Sequence, residues 1–383
     1  MRGSRPVTRL RTAATALALA AVFTPAALPA SATATAPAGR PDPTGLELIG
    51  QEIFASGTEY RGTRVGGLSG LVRDPRTGRY LAVSDDRSSI DPARWYTLSI
   101  DLADGRLDEG DVRFRGVTTL RQPGGRPYPE NGLDTEGIAL LRDGRVVVTS
   151  EGDATALVDP FVGVFRRDGR RVASFPVPRS FRPTADASSG IRNNLALESA
   201  GTSPDGRWLF TATENALAQD GPAASEQAGS PSRLLRYDAR TGRLDRTVVY
   251  ETEPVAAPAS PAGAFSTNGL VDVLPLGRDE VLAVERSFST GAGNTIKVFR
   301  ASLRGATDVT RVPSLAGHDG PVRAVRKELL LDLSTLGILL DNVEGIAWGP
   351  VLPDGRRSLV LVSDDNFSGT QFTQFLAFAV DEG

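Results

Sequence analysis

The sequence predicts an all-β protein, a β-propeller of four-stranded blades closed by strands from both chain termini. Three observations carry this. A hairpin pattern recurs five times, a second and weaker hairpin fills each interval, and the chain ends one strand short of a complete last blade. Self-similarity at a near-fixed spacing is the signature of a repeat architecture.

The recurrent hairpin begins at Leu68 ("LSGLVRDPRTGRYLAVSDDR"), Thr135 ("TEGIALLRDGRVVVTSEGD"), Leu197 ("LESAGTSPDGRWLFTATEN"), Gly269 ("GLVDVLPLGRDEVLAVERS") and Val343 ("VEGIAWGPVLPDGRRSLVLVSDDN"), at intervals of 62 to 74 residues. Each copy is an apolar strand, a Gly- or Asp-containing turn, and a second strand rich in Val and Leu. The Asp-Gly pairs at Asp143-Gly144, Asp205-Gly206 and Asp354-Gly355 are ordinary hairpin turns. Between copies lie "WYTLSIDLADGRLDEGDVRF", "VGVFRRDGRRVASFPVP", "RLLRYDARTGRLDRTVVYE" and "IKVFRASLRGATDVTRVP". Two hairpins per repeat make one antiparallel four-stranded blade.

After the fifth copy only "TQFLAFAV" remains, and the missing outer strand is supplied by "GLELIGQEIFASG", residues 45–57. Closing the ring in this way leaves no open sheet edge. The count is five blades, or six if residues 290–325 hide a degenerate one. A two-sheet sandwich accounts for the strands but not for the acidic residues that bracket each hairpin.

The N-terminal 34 residues read as a secretory signal peptide. Arg2, Arg5, Arg9 and Arg11 precede a short apolar run, and A-x-A sites end at Ala32 and Ala34. That run is shorter than the roughly 18 apolar residues needed to span a bilayer. Residues 35–44 form an Ala/Pro/Gly-rich, flexible lead-in, and residues 45–383 the propeller domain. The expected location is therefore outside the cell, with no integral membrane segment in the mature chain. Loss of four arginines takes the formal charge from −3 to −7 (−3 minus 4). An acidic chain without a basic patch is not built for nucleic acid.

Composition narrows the chemistry. With no cysteine there is no disulfide, thiol nucleophile or Cys-ligated metal. The single histidine, His318, lies in the polar stretch "LAGHDGPVR", which excludes multi-His zinc sites and is a poor setting for a Ser-His-Asp triad. Chemistry must run on carboxylates, hydroxyls, Asn and Arg.

The first strand of a blade lines the central channel and the second runs back beside it, so the start of one and the end of the other meet on one rim. Glu136 thus pairs with Glu151 and Asp153, Glu198 with Glu214, Glu344 with Asp364-Asp365-Asn366, and Ser69 with Asp85 and Asp86. The fourth blade departs, with Val271-Asp272 at one end and Glu285-Arg286 at the other. Carboxylates packed this closely repel unless protons or cations neutralise them. An all-oxygen donor set suits Ca²⁺ best and Mg²⁺ less well. The expected metal ligands are Asp85, Glu136, Glu198, Glu344, Asp364 and Asp365. Glu151 or Glu214 is the expected base, and Arg192 or Arg286 the expected partner of a phosphate or carboxylate group.

At these residues the chain resembles the exported phytase-like family, labelled esterase-like activity of phytase. The resemblance is carried by "DTEGIALL" at Asp134, "NNLALESAGTSPDGRWLFTATEN" at Asn193 and "VLAVERSFSTGAGNTIKVFRASL" at Val281. It is strongest in "LLLDLSTLGILLDNVEGIAWGPVLPDGRRSLVLVSDDNFSGTQFTQFLAF" at Leu329, and it covers residues 46–380. It implies a secreted propeller-like domain with ester or phosphoester hydrolysis, with calcium as in the alkaline propeller phytases. The acidic signature motifs of those phytases are not matched residue for residue, so no residue role is carried over from them. The expected function is a secreted, Ca²⁺-dependent hydrolase of small-molecule phosphate or carboxylate esters. Its rivals are a non-catalytic propeller that binds a small ligand or cell-surface partner, and a metal-dependent lactonase.

Overall fold

Strands such as Tyr80–Ser84, Val146–Ser150 and Trp208–Ala212 are buried along their whole length. Strands covered on both faces read as continuous apolar runs rather than as alternating patterns. Outer strands such as Val112–Thr119 instead alternate between more and less exposed positions. This is how a propeller distributes burial, and the computed structural model of the chain has that architecture. It describes residues 42–383; the expected signal peptide and all but the end of the expected lead-in lie outside the described residues.

Five four-stranded antiparallel sheets form the blades. From the axis outward, blade I is Leu68–Arg73, Tyr80–Ser84, Arg94–Ile100 and Val112–Thr119. Blade II is Thr135–Leu140, Val146–Ser150, Phe161–Phe165 and Arg171–Phe175. Blade III is Gly201–Thr202, Trp208–Ala212, Pro231–Asp238 and Leu244–Glu251. Blade IV is Ser266–Pro275, Glu280–Ser289, Gly293–Ser302 and Arg326–Asp332. Blade V takes Asn342–Val351, Arg357–Asp364 and Phe372–Glu382 from the C-terminus and Pro43–Ala55 from the N-terminus. The closing strand pairs Leu46 with Val380 and Phe54 with Thr373, as the missing outer strand required. It begins at Pro43, two residues before the expected start. Residues 290–325 hold the third strand of blade IV and a loop, so five is the number of blades.

Adjacent blades are tied around the ring by hydrogen bonds. Thr135 Oγ1 donates to Ser84 O (2.7 Å), Thr202 Oγ1 to Leu140 O (3.0 Å), and Leu270 N to Glu214 O (3.0 Å). Ile346 N donates to Asp272 Oδ2 (2.9 Å) and Gly67 N to Asp365 Oδ1 (3.0 Å), which completes the circle. Apolar packing follows the same plan, with five buried clusters at the five blade junctions. Leu68, Tyr96, Val360 and Phe375 fill the V–I junction, and Leu197, Leu209, Val162 and Tyr237 the II–III junction.

The Asp-Gly turns lie at the ends of the inner hairpins away from the bracketing acids. Asp354 there accepts Arg356 N (3.0 Å) and Nε (2.7 Å) in full solvent, with Gly355 at φ +90°. Asp354→Asn is expected to leave both the melting temperature and the cation affinity of the protein unchanged, as calorimetry would show. Among the described residues no helix is long and apolar enough to cross a membrane.

Candidate functional site

The inner hairpins of blades I, II, III and V bring their acidic ends to one rim. Asp134 precedes the first strand of blade II and Glu136 lies two residues on, so both side chains fall on one side of the strand. Glu151 follows the second strand and returns its N–H to Asp134 O (2.9 Å). In blade III Glu198 N donates to Ala212 O (3.1 Å) and Glu214 N to Ala196 O (2.7 Å), which fixes both acids at the same level. Blade V pairs Asn342 with Asp364 across the hairpin, with Glu344 two residues further in. Blade I adds Asp85, whose N–H reaches Gly67 O (2.6 Å). The Glu-Gly pair has a packing reason. A Cβ at Gly137 would lie 2.3 Å from Ala200 N of the neighbouring inner strand, so only glycine lets blades II and III close up behind Glu136.

The tightest group is Asp85, Asp134 and Glu136, which can bring one carboxylate oxygen each within 4.8 Å of one another. Asp85 Oδ1 and Asp134 Oδ1 are buried without a hydrogen-bond partner. Burial, and then the charges of Asp134 and Asp364, push the Asp85 carboxyl well above the usual carboxylate range. Burial, and then Asp85 and Asp134, do the same to Glu136. Burial also raises Asp134, although Arg87 pairs with its Oδ2 at 2.6 Å.

The other acids continue around the rim. Glu151 accepts a hydrogen bond from Ala196 N and meets the Glu198 carboxyl; burial and the charge of Asp134 push it up to about 8. Burial, with Glu151 and Glu136 beside it, raises Glu198 well above its ordinary value. Burial takes Glu214 to about 7 against the opposing pull of Arg286. Glu344 accepts from Asn342 Nδ2 (2.9 Å) and Arg286 Nη2 (3.0 Å), and the same guanidinium lies 3.5 Å from Glu214. Asp364 is raised by burial and by Glu344. Eight buried or half-buried carboxyls thus face two arginines, Arg87 and Arg286, so the rim must take up protons or cations.

Of the residues expected from sequence, Asp85, Glu136, Glu151, Glu198, Glu214, Arg286, Glu344 and Asp364 come together here. Asp365 is engaged at the blade junction: its Oδ1 accepts from Gly67 N (3.0 Å) and Phe367 N (3.1 Å), tying blade V to blade I, while its Oδ2 is buried without a partner. Arg192 is likewise engaged elsewhere, donating to Ala216 O (3.2 Å) and Gly221 O (2.6 Å) and so holding the loop after Glu214. Asp86 caps its own loop through Ser89, Ile90 and Asp91 N–H groups and pairs with buried Arg94 at 2.7 Å. Glu285 faces away from the axis, toward Tyr250 OH (2.8 Å) and Lys327. Blade IV therefore contributes an arginine where its neighbours contribute acids.

Two residues were missed from sequence, Asp134 and Arg87. The spacing of two between Asp134 and Glu136 would have found the first; Arg87 had only its place after Asp85-Asp86 as a signal. The donor chemistry of Asp85, Asp134 and Glu136 fits a hard dication such as Ca²⁺, with only oxygen ligands, clustered negative charge and two buried oxygens lacking donors. A cleft of about 500 Å³ at the other ends of blades III and IV is lined by Arg236, Asp245, Arg278 and Asp279 and touches none of these carboxyls.

The phytase-like family, described as "Esterase-like activity of phytase", matches residues 63–367. An "Uncharacterized secreted protein" of Arthroderma benhamiae is 23% identical over 231 residues, 52% of this chain and 44% of that protein. The chain thus spans less than half the length of this curated relative. Among solved structures, the periplasmic gluconolactonase of Pseudomonas aeruginosa is 14% identical with a TM-score of 0.35, covering 83% of this chain and 87% of that one. The endo-arabinase of Bacteroides thetaiotaomicron is 11% identical with a TM-score of 0.41, covering 84% and 98%.

Proposed function

The chain belongs to the phytase-like family (esterase-like activity of phytase), and from that premise we propose that it is a secreted, Ca²⁺-dependent hydrolase of small-molecule phosphate or carboxylate esters acting at the acidic rim. The observation that carries this reading is the group Asp85, Asp134 and Glu136, with three carboxylate oxygens in reach of one another and buried oxygens that no N–H or hydroxyl of the chain satisfies. These three would hold the cation. A Ca²⁺ held there supplies Lewis acidity toward an ester oxygen.

The chain's own residues do the rest. Glu214, poised at about 7, accepts the proton of the attacking water. Glu151, at about 8 and in contact with Glu198, keeps a proton at neutral pH and returns it to the leaving oxygen. Arg286 bridges Glu214 and Glu344 through one guanidinium nitrogen and anchors their side of the rim. Glu344 and Asp364 add negative charge that favours the cation. The secreted relative and the signal-like N-terminus support export.

The test has two parts on one preparation. Calorimetric titration of chelator-treated protein should show Ca²⁺ binding. A panel of aryl phosphates, phytate, aryl esters and lactones should then show at least one hydrolysis that chelator abolishes and Ca²⁺ restores. Hydrolysis of lactones alone would reassign the substrate class. Ca²⁺ binding with no turnover across the panel would make the rim a binding site only.

A further inference from the structure

The two arginines of the rim differ in how they are held. Arg286 sits within strand Glu280–Ser289, its side chain 14% exposed, with Glu344 at 3.0 Å and Glu214 at 3.5 Å. Arg87 sits on a loop, its side chain 30% exposed, with Asp134 Oδ2 at 2.6 Å and Asn194 Oδ1 at 2.7 Å. The backbone beneath Arg87 is firmly set. Asp86 caps the loop, Arg87 O accepts Asn131 N (2.7 Å), and Ser88, Asn131 and Asn194 all adopt left-handed φ of 55–60°. Non-glycine residues in that region store strain and cluster at functional sites. Only the guanidinium is left free to change partners.

Its present partner is contested. Asp134 offers Oδ2 to Arg87, its Oδ1 is buried without a partner, and one of its carboxylate oxygens lies within 4.8 Å of oxygens of Asp85 and Glu136. A dication drawing on Asp134 takes over the charge that Arg87 neutralises, and two cations a few ångströms apart repel each other.

Resting on the reading of the rim as a Ca²⁺ site, we propose that Arg87 is its exchangeable counter-cation. It pairs with Asp134 in the cation-free protein, and Ca²⁺ entry releases it to grip an anionic oxygen group, phosphate or carboxylate, of the substrate. Cation and anion binding are then coupled, and by linkage each strengthens the other equally. An arginine fork suits this role because it matches such groups in a bidentate manner.

Titration calorimetry on the mature chain tests the coupling, with Ca²⁺ as one probe and methylphosphonate, whose calcium salt stays in solution, as the other. In the parent, saturating Ca²⁺ should raise methylphosphonate affinity at least tenfold. Arg87→Met should bind Ca²⁺ no more weakly than the parent, having lost an internal competitor, and should lose the tenfold gain. Arg87→Lys keeps the charge without the fork and should retain part of it, which separates loss of charge from loss of fold. A tenfold weaker Ca²⁺ affinity in Arg87→Met, or a coupling that survives it, overturns the proposal while leaving the Ca²⁺ site intact. A parent that binds no Ca²⁺ overturns the underlying reading and this proposal with it.

Discussion

Asp134→Asn is expected to abolish Ca²⁺ binding at micromolar protein concentrations and to lower ester hydrolysis by about 10²-fold or more, the scale of one electrostatic or acid–base group in catalysis. The substitution keeps the size of the side chain and removes only its charge. It also turns an amide N–H₂ toward one of two neighbours, Arg87 or the Asp85–Glu136 pair. Toward Arg87, donor faces donor. Toward Asp85 and Glu136, the amide donates to the oxygens that would otherwise hold the cation. The first orientation leaves a neutral amide oxygen in place of a charged ligand and the second removes the ligand altogether, from a group that offers three carboxylates within reach of one another. Glu344→Gln provides the contrast: it weakens the pair with Arg286 and should slow hydrolysis, while Ca²⁺ affinity should fall less than in Asp134→Asn, because Glu344 adds nearby charge but is not one of the three carboxylates within reach of one another. Calorimetry and kcat/KM on the same variants read both effects. Unchanged Ca²⁺ affinity in Asp134→Asn would remove the cation from this group.

What the sequence made legible was whatever repeats. Hairpin strands with period-two patterning, turn residues at fixed offsets and a last blade one strand short gave the five sheets and the closing strand Pro43–Ala55. The bracketing acids were legible for the same reason, since Glu136 and Glu344 occupy one repeat position, and Glu151, Glu214 and Asp364 another. What failed was the phase of single residues. Glu285 and Arg286 stand side by side, and only the register with Gly269 and Leu270 decides that Arg286 faces the rim. Asp272 is taken up by Ile346 N and Val273 N, a blade-to-blade tie that no local pattern encodes. Arg192 and Asp365 were drawn into loop and junction contacts set by tertiary packing. Arg87 was invisible because its role depends on Asn194, 107 residues away in the chain.

Without calcium, raising the pH from 5 to 8 should lower the melting temperature by about 5 °C or more, and calcium should restore most of the loss at pH 8 but little at pH 5. The argument is one of proton linkage. Burial holds the Glu214 carboxyl at about 7 and the Glu151 carboxyl at about 8 in the folded chain, against an ordinary value of 4.5. Between 4.5 and those values the native state binds more protons than the unfolded state, so stability falls as pH rises. Moving one carboxyl from 4.5 to about 7 corresponds to about 3 kcal/mol, or roughly 5 °C for a chain of this size. Glu136, Glu198 and Asp85 are raised as well and act in the same direction. Carboxyls held low, such as Asp86 beside Arg94, titrate below this window and do not offset it. A cation bound to the rim stabilises the ionised acids and so competes with protons, which is why its stabilising effect should grow with pH. Scanning calorimetry at pH 5, 6, 7 and 8, with EDTA or with millimolar Ca²⁺, measures both slopes. A chelated protein equally stable across that range would mean that the rim acids are neutralised by something other than protons or a dication.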